Sequence, residues 1–197
     1  MYPMLRDPVV GATVAVVGEG MRTFMASVFV LASIACKAQG SPGDIRVYES
    51  RTDNQITEGE TTLQVDPDVA YKTVTDYAHW PSMFPDIHEV VITKQQGIDA
   101  RVTFIGPNDH HDNVHFHNQP AARMVWFEDT GGAAEVWAEI VFIAGDRPGT
   151  TRMHSRLFAS VHGVASLVVS DLKIRLMRER RVRDDLFNLR NYFARHH

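Results

Sequence analysis

Residues 164–195 read VASLVVSDLKIRLMRERRVRDDLFNLRNYFAR. At 100° per residue Val168, Leu172, Val182, Leu186, Leu189 and Phe193 fall on one face, the pattern of a long amphipathic helix. A helix of that length buries its stripe only against a broad apolar partner. Arg175 and Glu179 interrupt the stripe one turn apart, where a core-facing helix would carry Leu or Ala. They are either an i,i+4 ion pair on a wetted part of the helix or two groups lining a cavity that the helix lids.

The partner is a sheet. Residues 87–95, 100–106, 113–119, 122–129, 133–144 and 150–160 read as six strands. Turn signals separate them at Gln96-Gly97, Pro107-Asn108-Asp109, Pro120, Thr130-Gly131-Gly132 and Asp146-Arg147-Pro148-Gly149. Connections this short make consecutive strands antiparallel neighbours. Val136, Ala138, Ile140 and Phe142 alternate with Glu135, Trp137 and Glu139, and Met153, Ser155 and Leu157 with Arg152, His154 and Arg156. One face is therefore apolar and the other polar. Upstream, residues 45–50 are a possible short strand and 56–65 a firmer one. Asp66-Pro67 then starts a helix, the carboxylate capping free amides and proline fixing the first position. A second short helix lies within residues 78–85, bracketed by prolines.

The first 40 residues are of a different kind. Met21-Arg22 precedes an uncharged run, residues 23–35, followed by Cys36 and small residues. A basic start, a short apolar core and a small-residue exit are the layout of an export signal, and the run is short for a membrane span. We therefore expect residues 1–20 to be an upstream over-extension of the reading frame, 21–38 an export signal, 39–55 a tether with a short strand, and 56–197 the folded domain. Cys36 is the only cysteine, so the chain forms no internal disulfide. Its position resembles the lipid-modified cysteine of bacterial lipoproteins, which implies a lipid anchor in the envelope or periplasm.

The 197 residues carry a formal net charge of −4 and are 44% hydrophobic, enough for a real core. Residues 171–195 hold eight basic and four acidic residues, whereas 36–170 hold ten basic and eighteen acidic. A basic helix thus sits on an acidic body and could approach anionic lipid headgroups. No recognition motif or wide basic surface is present, so nucleic acid is not an expected partner.

The order of elements, with Val65-Asp-Pro-Asp-Val-Ala-Tyr71, Asp76-Tyr77-Ala-His-Trp80-Pro81 and Phe84-Pro85-Asp86-Ile87-His-Glu-Val90, resembles the START-like or SRPBCC superfamily, in its polyketide cyclase and coenzyme Q-binding branch. The resemblance covers about residues 57–195. It implies an α+β helix-grip fold: a curved antiparallel sheet of about seven strands wrapped on a long C-terminal helix, with two short helices after the first strand. It also implies a cavity between sheet and helix that takes a lipid or other apolar small molecule.

Strand parity and the helix stripe then give the residues expected at such a cavity: Val102, Phe104, Val114, Phe116, Val136, Ile140, Phe142, Met153, Ser155 and Leu157 from the sheet, and Leu172, Arg175, Glu179 and Leu186 from the helix. Trp80 and Phe84 are placed at its mouth. Three functions compete. A binding or transfer protein needs an open apolar cavity. A cyclase or dehydratase would use Glu179 as base, Arg175 to stabilise an enolate, and Ser155. A partner-binding module would have its cavity filled by Phe104, Phe116, Phe142 and Met153. No nucleophile elbow, phosphate loop, HExxH or nucleotide fingerprint is present, and no cofactor is expected. His110, His115 and His117, with Asp112 nearby, have the donor types for zinc or copper. Because Val114 and Phe116 take the inward positions, His115 and His117 face solvent and read first as polar surface.

Overall fold

Alternation fixes which side of each strand is apolar, and short turns fix its neighbour; the long helix closes the apolar side. The computed structural model describes residues 45–129, 134–162 and 169–196. The strands are β1 (Arg46–Glu49), β2 (Ile56–Leu63), β3 (Glu89–Gln96), β4 (Asp99–Ile105), β5 (His111–Gln119), β6 (Met124–Asp129), β7 (Ala134–Ala144) and β8 (Thr151–Val161). All pairs are antiparallel in one curved sheet of order β1-β2-β8-β7-β6-β5-β4-β3. The sheet has eight strands rather than about seven, because the short stretch at 46–49 pairs with β2 from Arg46 opposite Glu60 to Glu49 opposite Thr57.

Helix α1 (Pro67–Val74) starts as expected: the Asp66 carboxylate accepts the Asp68 amide at 2.9 Å, with Pro67 in the first turn. A 3-10 turn, Tyr77–His79, leads into α2 (Trp80–Met83). Two polar atoms fasten this segment. Trp80 Nε1 donates to the Val74 carbonyl at 2.9 Å, and the Tyr77 hydroxyl donates to Asn118 Oδ1 on β5 at 2.8 Å. Their rings join Phe84, Phe104 and Phe116 in one aromatic cluster.

Helix α3 (Asp171–His196) crosses the sheet. Val182, Leu186, Leu189 and Phe193 are buried, as the stripe predicted. The approach to β2 is close: a Cβ on Gly59 would stand 2.4 Å from Val182 Cγ1 and 2.7 Å from Leu186 Cδ1. A glycine is needed there because no side chain fits between strand and helix. The expected helix start at residue 164, with Val168, lies outside the described residues, as do residues 1–38 with Cys36 and residues 39–44 of the tether. Among the described residues no helix is long and apolar enough to cross a membrane.

Candidate functional site

The C-terminal half of α3 packs directly on the sheet, and the N-terminal half stands away from it. Beneath residues 173–185 the gap is a cavity of about 360 Å³, within the range of small-molecule sites. Its walls are mostly apolar: Phe104, Val114, Phe127, Val136, Ile140 and Leu157 from the sheet, Ile174, Met177 and Val182 from the helix, and Trp80 from α2. Trp80 stacks on Phe104 with centroids 4.9 Å apart, so the aromatic cluster forms one end wall. Leu176 borders the cavity yet is 55% exposed, which opens it to the surface near the first turns of α3.

Seven of the residues expected at the cavity border it: Trp80, Phe104, Val114, Val136, Ile140, Ser155 and Leu157. Phe84, Val102, Phe116, Phe142, Met153 and Leu186 are buried but lie in the packed core beside it. Three of the four side chains expected to fill a collapsed interior are thus accommodated elsewhere, and the volume stays open. The helix positions need correction. Leu172 is 63% exposed and does not line the cavity. Arg175 and Glu179 do not line it either: Arg175 Nε lies 2.9 Å from Glu179 Oε1 and 3.0 Å from Glu49 Oε1 on β1. The ion-pair alternative describes them, and Glu49 adds a second carboxylate that holds the guanidinium outward.

Arg178 takes the inward place that Arg175 was given. It is 6% exposed and borders the cavity. Its guanidinium donates to Thr57 Oγ1 at 3.3 Å, the Ala159 carbonyl at 3.1 Å and the Asn54 carbonyl at 2.8 Å. Burial pulls its pKa below the usual arginine value, opposed by Glu49 and Asp53. With its donors engaged by protein oxygens, Arg178 pins helix to sheet rather than offering a free charge to a ligand.

The polar end of the cavity contains Asp86, Asp112, Asp129 and Asp185 with Arg180 and Arg181. Arg181 Nε lies 2.9 Å from Asp185 Oδ2, and its charge also acts on Asp86 and Asp112. His110 Nε2 lies 2.9 Å from Asp112 Oδ1. Burial raises the pKa of Asp86, Asp112 and Asp185, the last to about 6, because desolvation outweighs the opposing charges of Arg181, Arg180 and the nearby imidazoles. Such a group both gives and takes a proton near neutrality.

Sequence reasoning passed over this end, although the signals were there. Asp112 shares strand parity with Val114 and Phe116, and Asp129 with Val125 and Phe127, so both point inward. Arg178, Val182, Asp185 and Leu189 follow a 4, 3, 4 spacing and share a face of α3. His110 belongs to the Asp112 pair and not with His115 and His117, which lie on the outer face of the sheet.

No family model matches the chain, and no curated protein matches it in sequence. Solved structures do resemble it. TTHA0849 from Thermus thermophilus aligns with a TM-score of 0.59 at 14% identity, over 72% of this chain and 98% of that one. A START superfamily protein from Mycobacterium smegmatis aligns at 0.59 and 11% identity, over 72% and 99%. Zhui aromatase/cyclase from Streptomyces sp. R1128 aligns at 0.59 and 14% identity, over 77% and 94%. Likeness at these identities speaks for the backbone arrangement, and with the curved eight-stranded sheet gripping α3 it shows that the chain has the START-like helix-grip fold.

Proposed function

We propose that this chain holds or passes an apolar small molecule or lipid in the cavity beneath α3. One observation carries the reading: an open, mainly apolar volume of about 360 Å³ persists under the helix while the neighbouring core is close-packed. Leaving that much apolar surface unfilled costs stability, so a ligand that fills it is favoured by both dispersion and burial. The acids and Arg181 at one end suit a ligand with a polar group on an apolar body. Native mass spectrometry of gently purified protein, compared with the denatured sample, tests this. A discrete added mass that leaves on unfolding and matches a lipid or isoprenoid is expected; bare protein that also fails to take up such ligands would sink the reading.

We place the protein in the bacterial envelope, exported and lipid-anchored through Cys36, on the layout of residues 21–38. Exposed Leu172 and Leu176 beside Lys173 and Arg180 support an approach of the cavity mouth to a lipid surface. A diacylglycerol mass on a peptide beginning at Cys36 is the expected product in membrane extracts, and an unprocessed N-terminus there would refute the anchor.

The polar end favours a second reading, an enzyme of cyclase or dehydratase type. Its acid–base groups would be Asp185 with Arg181 and Asp112 with His110, in place of Arg175 and Glu179. Under that reading Asp185→Asn and Asp112→Asn retain the ligand but lose its conversion; turnover in both variants equal to the parent's would remove the enzyme.

A further inference from the structure

The outer face of β4, β5 and β6 gathers a second set of functional groups, separated from the cavity by the thickness of the sheet. Phe116, between His115 and His117 in sequence, points into the core, so both imidazoles stand on the opposite side. Register then assembles their neighbours. His117 is directly opposite Asp99 on β4, and His115 directly opposite Glu128 on β6. The imidazole centroids are 4.1 Å apart, and one donor atom each from Asp99, His115 and His117 lies within 4.8 Å of the other two. His115 Nδ1 is 3.5 Å from Glu128 Oε1. Trp126 packs its ring against His117 with centroids 5.1 Å apart, restricting that imidazole.

Asp99 Oδ1 is the telling atom. It is shut off from solvent and accepts no hydrogen bond of acceptable geometry, although His117 Nδ1 stands 2.6 Å away. The Asp99 side chain is otherwise about half exposed, 49%, so what the covered oxygen offers is a lone pair turned toward the imidazoles rather than a buried charge. A cation bridging Asp99, His115 and His117 meets it and accepts the imidazole lone pairs as well.

We propose that Asp99, His115 and His117, with Glu128 as fourth donor, form a binding site for a late first-row divalent cation such as Zn2+. Two imidazoles and two carboxylates fit this class of ion, whereas an all-oxygen set would favour Mg2+ or Ca2+. The two carboxylates balance the ion's charge, while Arg101, directly opposite His115, works against it. Rotation of side chains by about 1 Å brings the donors of Asp99, His115 and His117 toward the roughly 2.0–2.2 Å bond lengths of zinc, whereas Glu128, 3.5 Å from His115 and outside that group of three, has to turn further to join them. The ion would tie three neighbouring strands together from outside and leave the cavity untouched, so the proposal is independent of the ligand reading.

The test is zinc titration of the untagged, chelator-treated full chain by calorimetry, with thermal unfolding followed in parallel. One ion bound per chain and an unfolding midpoint that rises with zinc concentration are expected. His117→Ala and Asp99→Asn should each weaken binding by roughly tenfold or more, while the paired control His162→Ala, His196→Ala should bind like the parent. Unchanged metal-free unfolding midpoints in the site variants separate ligand loss from misfolding. Zinc binding that is absent, or unaltered in His117→Ala and Asp99→Asn, overturns the site.

Discussion

Between Val182 and Phe193, α3 presses four buried apolar side chains against the sheet, whereas between Lys173 and Asp185 the same helix roofs a cavity of about 360 Å³. The two regions overlap at Val182, yet they differ in what lies underneath. Gly59 lets the C-terminal part sit almost on the backbone of β2. In the N-terminal part Arg178 borders the open volume and its guanidinium bonds to β2, β8 and the loop at Asn54. Gly59 permits apolar contact, whereas Arg178 joins helix to sheet through hydrogen bonds beside the cavity. Close packing and open volume thereby fall on different turns of one helix.

Variants along α3 can break this division. The largest effect is expected from Leu186→Ala in the packed part, about 3–5 kcal/mol lost in urea denaturation, because a fully buried leucine leaves a cavity against β2. A loss under about 1 kcal/mol would mean that this part is not the anchor. Arg178→Met should cost about 2–3 kcal/mol, since Thr57 and the carbonyls of Asn54 and Ala159 lose their donor. Arg178→Lys should recover only part of that, a lysine lacking the planar fork that reaches three acceptors.

Asp185→Asn sharpens the comparison through pH. The folded state raises this carboxyl from 3.8 to about 6, so it holds its proton more tightly than the unfolded chain. The stabilisation from that proton is complete below the unfolded value and is lost as pH rises through about 6. Relative to the parent, the asparagine variant should therefore gain stability between about pH 4 and pH 7, by on the order of 1–3 kcal/mol, the folded value already containing the pairing with Arg181. A difference that is flat with pH would show that Asp185 does not titrate in this interval. The smallest change is expected from Leu172→Asp, within about 0.5 kcal/mol and with ligand retention intact, because this leucine is 63% exposed and outside the cavity wall. Loss of retention in native mass spectra would place Leu172 in the ligand's path.

Leu172 and Leu186 show how far a pattern can be read. They are two heptads apart and within about 40° of each other in a helical projection, but one is exposed and the other has no accessible surface. Periodicity assigns a face to a helix; it does not say where along its length the partner comes close. The same holds for Arg175 and Arg178. The stripe put Arg175 inward, and Glu49 on β1, which the sequence marked only as a possible short strand with no place in the sheet, pairs with it at the surface instead.

Local rules written in the chain determined much: the Asp66-Pro67 helix start, the antiparallel meander set by short turns, the inward parity of Val114, Val136, Ile140 and Leu157, and the need for a long helix to cover them. These depend on neighbours a few residues away, so sequence alone reveals them. Tertiary structure decided the depth of α3 over the sheet, the cavity that this depth leaves, the gathering of Asp86, Asp112 and Asp185 around Arg181, and the meeting of Asp99 with His115 and His117. Each brings together residues far apart in the chain, and their spacing follows from how side chains of particular volume and charge settle between two surfaces.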